Sequence, residues 1–334
     1  MGDVIHALPA LSDARRFIPD IEFDFVVEDS FKEIPSWHDG VSKVIPVATR
    51  RWRKNFFRSF KEIFQAYKEL KREDYDVIID AQGLIKSSII AKIAKGDRHG
   101  FSFESIREPV AAKSYHFQQE VSKSMHAISR IRLLTAKSLA YEDKLDLDHS
   151  KVDYGLSINN ISEVELSSLG LDQKYIDSKP YIVFLHGTTW VAKEWPIENW
   201  RELAKKFSSS LRILLPWGNE KEYQRAKTIA EQINNVDVLP KLSLTSMAHL
   251  INNAQCVVSV DTGLGHLAAA LGKPTLSIYG PTNTQLIGTM GHNQHHMSAS
   301  EHLDQKSIKK NKPFDYDKVS AEKVFQKINN DLLR

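Results

Sequence analysis

The chain has 334 residues, which exceeds the usual limit of a single hydrophobic core and therefore predicts two domains. Its composition, 42% hydrophobic and 26% charged, is that of a soluble globular protein, and its net charge of +3 is far below that of typical nucleic-acid binders. No apolar run approaches the roughly 20 residues of a membrane span, and no signal peptide is recognisable, so we expect a cytoplasmic protein. The single cysteine, Cys256, excludes an internal disulfide and is expected to be buried packing within a strand.

The first half of the chain predicts an α/β domain, although its beginning is unusual. Strands are predicted at 22–27, 43–47, 75–80 and 98–101. Gly2 and Asp3 lead at once into an amphipathic helix with Val4, Ile5, Leu8 and Leu11 facing inward. A doubly wound domain needs a strand before that helix. We therefore expect that the first, central strand is missing from this sequence, through a misplaced start or a truncation.

A cluster of positive charge lies between positions 50 and 61. It comprises Arg50, Arg51, Arg53, Lys54, Arg58 and Lys61, interleaved with Trp52, Phe56, Phe57 and Phe60. Basic and aromatic residues together indicate an anionic partner with an apolar part. The apolar positions 56, 57, 60, 63, 64, 67 and 70 predict a helix with one inward face, which leaves the basic residues on the other face.

The second half shows a clear β-α-β pattern, which predicts a parallel sheet covered by helices on both faces. Strands are predicted at 181–185, 211–215, 236–239, 255–260 and 274–279, and helices from 196, over 220–233 and over 244–252. The predicted organisation is an N-terminal Rossmann-like domain at 1–155, a linker at 156–175, a C-terminal Rossmann-like domain at 176–312 and a C-terminal tail helix at 313–334. Ligands should bind at the carboxyl ends of the strands, in a cleft between the two domains.

The most informative stretch is the turn between the strand ending at Val260 and the helix predicted at 264–271. The amides of Thr262, Gly263 and Leu264 lie at a helix N-terminus with partial positive charge, and the glycine allows a diphosphate to approach closely. The competing interpretation is a βα turn that binds nothing, since many such turns have no ligand.

Two further segments follow strands of the same sheet. Thr188, Thr189 and Lys193 lie in a loop suited to a diphosphate, although a solvated loop with an exposed lysine has the same composition. Glu222 follows another strand and is placed to accept hydrogen bonds from a ribose. It is equally placed to interact with the dipole of its own helix.

We expect no metal ion. Of the three Asp-x-Asp motifs, at 74–76, 146–148 and 315–317, the first precedes a strand, the second lies in a charged stretch without strands and the third is near the C-terminus. His292, His295 and His296 have zinc-like spacing but no cysteine or carboxylate cluster beside them, so they are interpreted as loop histidines. The sequence has no Walker loop, no Ser-His-Asp elbow and no Gly-x-Gly-x-x-Gly after a strand, which argues against nucleoside triphosphatases, hydrolases and dehydrogenases.

Segments 2–11, 50–54, 80–87 and 261–267, in this order and spacing, closely resemble the ADP-heptose:lipopolysaccharide heptosyltransferases, specifically the heptosyltransferase I group. The likeness runs from residue 1 to about 290. It implies an α/β fold of GT-B type, with two Rossmann-like domains facing a cleft, and an inverting glycosyltransferase that needs no metal or cofactor. The implied substrates are ADP-heptose and Kdo-lipid A, which receives L-glycero-D-manno-heptose on its inner Kdo. The implied location is the cytoplasmic face of the inner membrane of a Gram-negative bacterium, with peripheral attachment.

The resemblance also implies roles for individual residues. Asp3 matches the family's catalytic base. The donor-binding residues would be Thr188, Thr189, Lys193, Glu222, Leu242, Asp261, Thr262, Gly263 and His266, and the acceptor-binding residues Arg50, Arg53, His126 and Arg130. Leu242 replaces a methionine that lies beside adenine in a relative. Without the resemblance, Asp3 is interpreted as the N-cap of its helix.

A function of another class remains open at this point. A catalytically inactive α/β protein that binds nucleic acid or another anion would also use the basic cluster at 50–61. The modest net charge and the lack of a recognition fold argue against it.

Overall fold

The structure is a computed structural model that describes residues 1–55, 57–157, 175, 178–207, 211–300 and 308–333. The chain divides into two compact units. Unit 1 comprises residues 1, 3–148 and 153–157, and unit 2 comprises residues 2, 149–152 and 158–334. Most of the linker predicted at 156–175 lies outside the described residues.

Unit 1 contains five strands and six α-helices in its described part. The strands are β1 (Phe23–Glu28), β2 (Val41–Val47), β3 (Asp74–Asp80), β4 (Lys95–Phe101) and β5 (Phe117–Gln119). The helices are α1 (Gly2–Phe17), α2 (Glu33–Ser36), α3 (Thr49–Lys54), α4 (Phe60–Leu70), α5 (Ile85–Ile93) and α6 (Ala127–Ser138). The sequence did not predict β5, because three residues are too few for a recognisable alternation.

The strands of unit 1 form two parallel sheets. One consists of β1 and β2, and the other has the order β3-β4-β5. A hydrogen bond joins the two sheets, because the Tyr75 hydroxyl on β3 donates to Asp24 of β1 at 2.7 Å. The strand expected before α1 stays a prediction, since α1 is the first element of the chain.

Helix α1 has one largely buried face. Ile5, Leu8 and Leu11 are buried as predicted, while Val4 is only half-buried. The helix packs against α6, and the Arg132 guanidinium forms two hydrogen bonds to Asp13, at 2.6 and 3.0 Å. This ion pair is nearly buried, so its charges are held in a fixed geometry rather than screened by water.

Unit 2 is built on one sheet of six parallel strands. The strands are β6 (Tyr181–Leu185), β7 (Arg212–Leu215), β8 (Val236–Val238), β9 (Cys256–Val260), β10 (Thr275–Tyr279) and β11 (Gln294–Ser298). The described helices are α7 (Ile197–Lys206), α8 (Glu220–Ala230), α9 (Leu244–Asn252), α10 (Gly263–Ala270), α11 (Thr284–Ile287) and α12 (Ala321–Asp331).

The strand order of this sheet, β11-β10-β9-β6-β7-β8, is that of the doubly wound dinucleotide-binding fold. Strands β6, β7, β9 and β10 are buried at every position, which requires helices on both faces. On one side α7 packs against α8 and α12, and elsewhere α9 packs against α10. The C-terminal helix α12 belongs to this core through Val324 and Ile328, which lie with Trp195 and Trp200 in one apolar cluster.

The prediction for Cys256 is confirmed. The side chain is buried in β9, and burial raises the pKa of its thiol to about 12. The thiol is therefore neutral packing rather than a nucleophile.

Two sequence interpretations are wrong. His295 and His296 lie on the edge strand β11 and not in a loop. That strand was missed because Gln-His-His-Met-Ser lacks the apolar run of the other strands. The apolar positions of helix 56–70 do not form one inward face, since Phe60, Phe64 and Tyr67 are exposed while Ala66 and Leu70 are buried.

Within the described residues, no helix combines the length and the apolar character that crossing a lipid bilayer requires.

Candidate functional site

The topology of unit 2 indicates at which edge of its sheet a ligand binds. The chain order reverses between β6 and β9, which are neighbours in the sheet and continue in opposite directions to β7 and β10. At such a switch point the loops after the two strands diverge and leave a crevice at the carboxyl ends, where ligands of this fold bind. The loop after β6 carries Thr188, Thr189 and Lys193, and the loop after β9 carries Asp261 and Thr262.

Side-chain contacts join these two loops. The Thr188 hydroxyl donates to the backbone carbonyl of Asp261 at 3.1 Å. Lys193 Nζ lies 2.6 Å from Asp261 Oδ2, and the two side chains are only 17% and 10% exposed. The Thr282 hydroxyl donates to the same carboxylate oxygen at 2.5 Å. Because it is largely withdrawn from water, this ion pair is less screened than a surface pair.

The predicted phosphate turn begins a helix as expected. Helix α10 starts at Gly263, and its N-cap residue Thr262 is extended and makes no side-chain capping hydrogen bond. The first amides of the helix therefore lie beside Asp261 with the positive end of the helix dipole. His266 is buried one turn into the helix. The site thus combines a cation, hydroxyl groups and a helix N-terminus, which are the groups that bind diphosphates.

Glu222 lies beside the end of β6. Its carboxylate accepts a hydrogen bond from the Gly218 amide at 2.7 Å, in the first turn of α8. A Cβ on Gly187 would lie 2.7 Å from the Glu222 carboxyl carbon, so a larger residue there would displace this carboxylate. Glu222 thus interacts with the N-terminal end of its own helix, as one interpretation predicted. Its carboxylate keeps further acceptor positions, so the predicted hydrogen bonds to a ribose are compatible with this contact.

The other two donor-side residues lie in loops. Thr189 is exposed, and Leu242 is half-buried next to Ser243, the N-cap of α9.

The sequence analysis missed four residues of this region. Thr282, described above, follows β10 at the same sheet edge. The rule that ligands bind at the carboxyl ends of parallel strands therefore applies to it as well as to the loop of Asp261. Tyr316 is buried and donates to the Ala192 carbonyl at 3.3 Å, and burial, with the nearby Asp261 charge, raises the pKa of its phenol. Trp190 and Lys310 complete the set.

Two lysine side chains lie over the ring of Trp190. Lys193 Nζ lies 4.7 Å and Lys310 Nζ 4.3 Å from the centroid of its ring. Both contacts are cation–π interactions, and they place a second positive charge near the loop after β6. No sequence pattern connects Lys310 or Tyr316 to this loop, because they approach it from more than 100 positions away along the chain.

His186 directly follows β6, at the start of the same loop. Burial, with the nearby Arg225 charge, lowers the pKa of its imidazole to about 3. The ring is therefore neutral at physiological pH and adds no charge to the site.

In unit 1, the charges of Asp3 and Arg50 both act on the Met1 amino group. Asp3 is exposed in the first turn of α1, whose N-cap is Met1, so Asp3 is not the N-cap. Burial lowers the pKa of the Met1 amino group, which the Asp3 charge raises and the Arg50 charge lowers to smaller extents. Both side chains are thus within electrostatic reach of the same amine.

The basic cluster at 50–61 separates into two kinds of residue. Arg51 is engaged with Glu62 at 2.7 Å and with Asp29 at 3.8 Å. Arg50 and Arg53 on α3 are exposed, and within the described residues neither forms an ion pair. Arg50 and Arg53 therefore remain available for an anionic ligand.

His126 and Arg130 have structural partners. His126 is buried and caps α6 by accepting a hydrogen bond from the Ile128 amide at 3.2 Å. The Arg130 guanidinium donates to the Ser105 carbonyl and lies over the Phe101 ring at 4.7 Å. Burial lowers the pKa of Arg130. Their assignment to the acceptor stays a prediction.

No group of three or more His, Cys, Asp or Glu side chains placed to hold a metal ion occurs in the part of the chain that the structure describes. The three Asp-x-Asp motifs are included in that part.

Comparison with known proteins supplies the family. The model of glycosyltransferase family 9 (heptosyltransferase) matches residues 63–316. The chain is 45% identical over 303 residues to lipopolysaccharide heptosyltransferase 1 of Pseudomonas aeruginosa, covering 90% of this chain and 81% of that one. It is 46% identical over 298 residues to lipopolysaccharide heptosyltransferase 1 of Escherichia coli, covering 88% and 89%.

Solved structures of heptosyltransferases are similar to this chain. The E. coli heptosyltransferase WaaC with ADP superposes with a TM-score of 0.85 at 42% identity, over 99% of this chain and 97% of that one. The same enzyme with ADP-2-deoxy-2-fluoro heptose gives a TM-score of 0.82 at 41% identity, over 99% and 96%. E. coli heptosyltransferase II, at 18% identity and a TM-score of 0.75, shares the fold.

Proposed function

Because the chain belongs to glycosyltransferase family 9, the heptosyltransferases, we propose that it transfers heptose from ADP-heptose to the inner Kdo of Kdo-lipid A. The observation that carries the proposal is the junction of the loops after β6 and β9, where Lys193, Thr188 and Asp261 meet at the switch point. The relative whose structure holds an ADP-heptose analogue supports this choice of donor. The alternative of an inactive nucleic-acid-binding protein is not favoured by these relatives.

The proposed reaction is a single displacement with inversion. The acceptor hydroxyl oxygen attacks the anomeric carbon of heptose while the bond from that carbon to the diphosphate oxygen breaks. The hydroxyl proton passes to the Asp3 carboxylate, which acts as general base. ADP leaves with the bonding electron pair, so negative charge accumulates on its diphosphate.

Unit 2 supplies the groups that stabilise this charge. The Lys193 ammonium and the amides at the start of α10 are held in place before ADP leaves, so little reorganisation is needed. Thr188 and Thr189 add hydroxyl donors, Glu222 a ribose contact and Leu242 a surface for adenine. Since fixed protein charges meet the diphosphate, we propose that the enzyme needs neither a metal ion nor a cofactor.

Unit 1 would bind the acceptor. Arg50 and Arg53 are suited to the carboxylates of Kdo and the phosphates of lipid A, because guanidinium groups form paired hydrogen bonds with both. His126 and Arg130 are the less exposed members of the acceptor set. Because the proposed acceptor is a lipid, the enzyme must reach it at a bilayer. We therefore propose that the protein associates peripherally with the cytoplasmic face of the inner membrane.

The direct test is transfer itself. Purified protein with ADP-heptose and Kdo-lipid A should release ADP and form heptosylated product, detected by coupled ADP assay and mass spectrometry. EDTA should leave the rate unchanged because Lys193 and α10 provide the stabilising charge. Failure of transfer with intact substrates would contradict the proposed function, and strong inhibition by EDTA would contradict its metal independence.

A second prediction concerns the acceptor side. Replacing Arg50 and Arg53 together by alanine should raise the KM for Kdo-lipid A about tenfold, because two charge-assisted contacts to anionic groups are lost. Donor affinity, measured by calorimetry with ADP-heptose, should stay the same, and added salt should weaken acceptor binding in wild type more than in the variant.

The matched control removes two exposed cations of unit 1 outside α3, Arg16 and Lys144, and should leave the KM unchanged. An equal rise of KM in the control would show that Arg50 and Arg53 act only through net charge. A loss of donor affinity in the α3 variant would place them outside the acceptor site.

A further inference from the structure

Helix α4 carries two apolar stripes, and only one of them is covered by protein. Ile63, Ala66 and Leu70 follow one another at spacings of three and four, and the helix packs through this side against β2. Phe60, Phe64 and Tyr67 form a parallel stripe on the next part of the helix surface. They are 61%, 50% and 39% exposed. A helix of a globular protein normally turns such large side chains inward, so the second stripe needs another explanation.

Exposed apolar side chains are concentrated in this region of the chain. In the described residues, every large hydrophobic side chain that is strongly exposed lies between Phe57 and Phe117. Phe57, just before α4, is 94% exposed. Ile85 and Ile89 on the adjoining α5 are also exposed. The apolar surface of α4 therefore continues onto the adjoining α5.

Positive charge surrounds the aromatic stripe. Lys68 Nζ lies 4.6 Å from the centroid of the Phe64 ring, and Lys71 Nζ lies 4.7 Å from that of Tyr67. Arg58 and Lys61 are also exposed, whereas the exposed Arg72 is paired with Glu73 at 3.6 Å. Cations beside aromatic rings are suited to a surface that presents both negative charge and hydrocarbon.

The carboxylates of α4 are paired with side chains of neighbouring elements. Glu62 accepts from Arg51 at 2.7 Å and from the Trp52 indole at 3.1 Å, and Glu69 accepts from Lys43 at 2.5 Å. These residues line a cavity of about 390 Å³ between α4 and β2. The two acidic groups are thus neutralised by Arg51 and Lys43, whereas Lys68 and Lys71 lie beside the aromatic stripe.

We propose that α4 lies in the interface of an anionic lipid bilayer, with Phe60, Phe64 and Tyr67 among the lipid headgroups and Lys68 and Lys71 on lipid phosphates. The choice of a bilayer over a protein partner follows from charge complementarity, because lysines border the aromatic stripe and the acids of the helix are paired elsewhere. This inference rests on the proposed function, because a lipid acceptor lies in a bilayer. It adds that α4 is the element that contacts the bilayer.

The experiment measures co-sedimentation of the full chain with vesicles. Phosphatidylcholine vesicles containing phosphatidylglycerol should bind the protein, vesicles of phosphatidylcholine alone should bind it more weakly, and salt should reduce the difference. Phe64→Ser with Tyr67→Ser should lower partitioning about tenfold, because two aromatic rings no longer enter the interface. Lys68→Ala with Lys71→Ala should lower binding to the anionic vesicles and reduce its salt dependence.

The matched control is Phe103→Ser with Phe117→Ser, which removes two exposed aromatic rings of unit 1 outside α4. It should bind vesicles as wild type does. The inference is overturned if wild type does not bind anionic vesicles, if the α4 variants bind as well as wild type, or if the control loses as much binding. It is also overturned if sedimentation velocity shows that the α4 stripe instead joins two copies of the chain.

A second readout separates this inference from the proposed function. Transfer of heptose to a deacylated, water-soluble acceptor does not need a bilayer, so the Phe64 and Tyr67 variant should keep the wild-type rate with it. Its rate with vesicle-embedded Kdo-lipid A should fall with its partitioning. Wild type that transfers to the soluble acceptor without binding vesicles refutes only the bilayer contact. Wild type that binds vesicles without transferring to either acceptor refutes only the proposed function.

Discussion

Replacing Lys193 by alanine should weaken the binding of ADP-heptose about 10- to 150-fold, which corresponds to roughly 1.5–3 kcal/mol for a lost charge-assisted contact. The lysine ammonium lies 2.6 Å from Asp261 Oδ2 in a largely buried pair, at the loop junction where the diphosphate is proposed to bind. Calorimetry with ADP-heptose and with ADP should show similar losses, because the contact is to the diphosphate. Turnover should also fall, since the departing ADP loses a stabilising charge.

The loss of ADP-heptose affinity in Lys193→Ala has two sources, the missing contact to the diphosphate and the repulsion by an unpaired Asp261, and the experiment must separate them. Without Lys193, the Asp261 carboxylate keeps its hydrogen bond from Thr282 but has no cation, and it then repels an incoming diphosphate. The double variant Lys193→Ala with Asp261→Asn removes that repulsion. If Lys193 binds the diphosphate directly, affinity should stay low in the double variant. Full recovery would show that Lys193 only neutralises Asp261.

Lys310 provides the matched control. Its ammonium also lies over Trp190, 4.3 Å from the ring centroid, but no ion pair with Asp261 is found for it in the described residues. Lys310→Ala should reduce donor affinity less than Lys193→Ala. An equal reduction would indicate a general electrostatic effect of the loop after β6, and unchanged affinity in the Lys193 variant would remove the donor assignment.

Most of the sheet of unit 2 could be predicted because β6, β7, β9 and β10 are buried along their whole length and read as continuous apolar runs, which β11 is not. The predicted strand 181–185 coincides with β6, and the other four predicted strands differ from the structure by one residue at an end. Helix ends were less predictable. Helix α8 ends at Ala230, three residues early, and Gln232 there has a left-handed φ of 59°. The backbone conformation of such a residue is set by the local turn and is not visible in a propensity pattern.

The donor site could be predicted as a set of loops but not as a set of contacts. The rule that ligands bind where parallel strands end predicted the two loops that carry Lys193 and Asp261, and the resemblance named Asp261 itself. Their ion pair, and the approach of Tyr316 to Ala192, depend on the three-dimensional course of loops that are distant in sequence.

The error in α4 has a different cause. Phenylalanines spaced by three and four predict an apolar stripe, and the prediction assumes that such a stripe is covered by protein. Here Phe64 is exposed and Ala66, a weaker signal in the sequence, is buried. Departures from the expected pattern occur where a surface serves binding rather than folding.

Replacing Asp3 by asparagine should lower kcat about 10²- to 10⁴-fold, which is the usual contribution of a general base. Asn keeps the size of the side chain and removes the group that accepts the proton of the acceptor hydroxyl. Since Asp3 is exposed and does not cap α1, the variant should fold as wild type does, apart from a small loss of interaction with the helix dipole. The affinity for ADP-heptose, measured by calorimetry, should be unchanged.

The control is Asp20→Asn, which removes one exposed carboxylate of unit 1 just beyond the end of α1 and should turn over at the wild-type rate. A selective fall of kcat in the Asp3 variant, with donor affinity and thermal unfolding unchanged, would support Asp3 as the base. A near wild-type rate would mean that another group accepts the proton. His266 would then be tested before Asp261, because the Asp261 carboxylate is already engaged by Lys193 and Thr282.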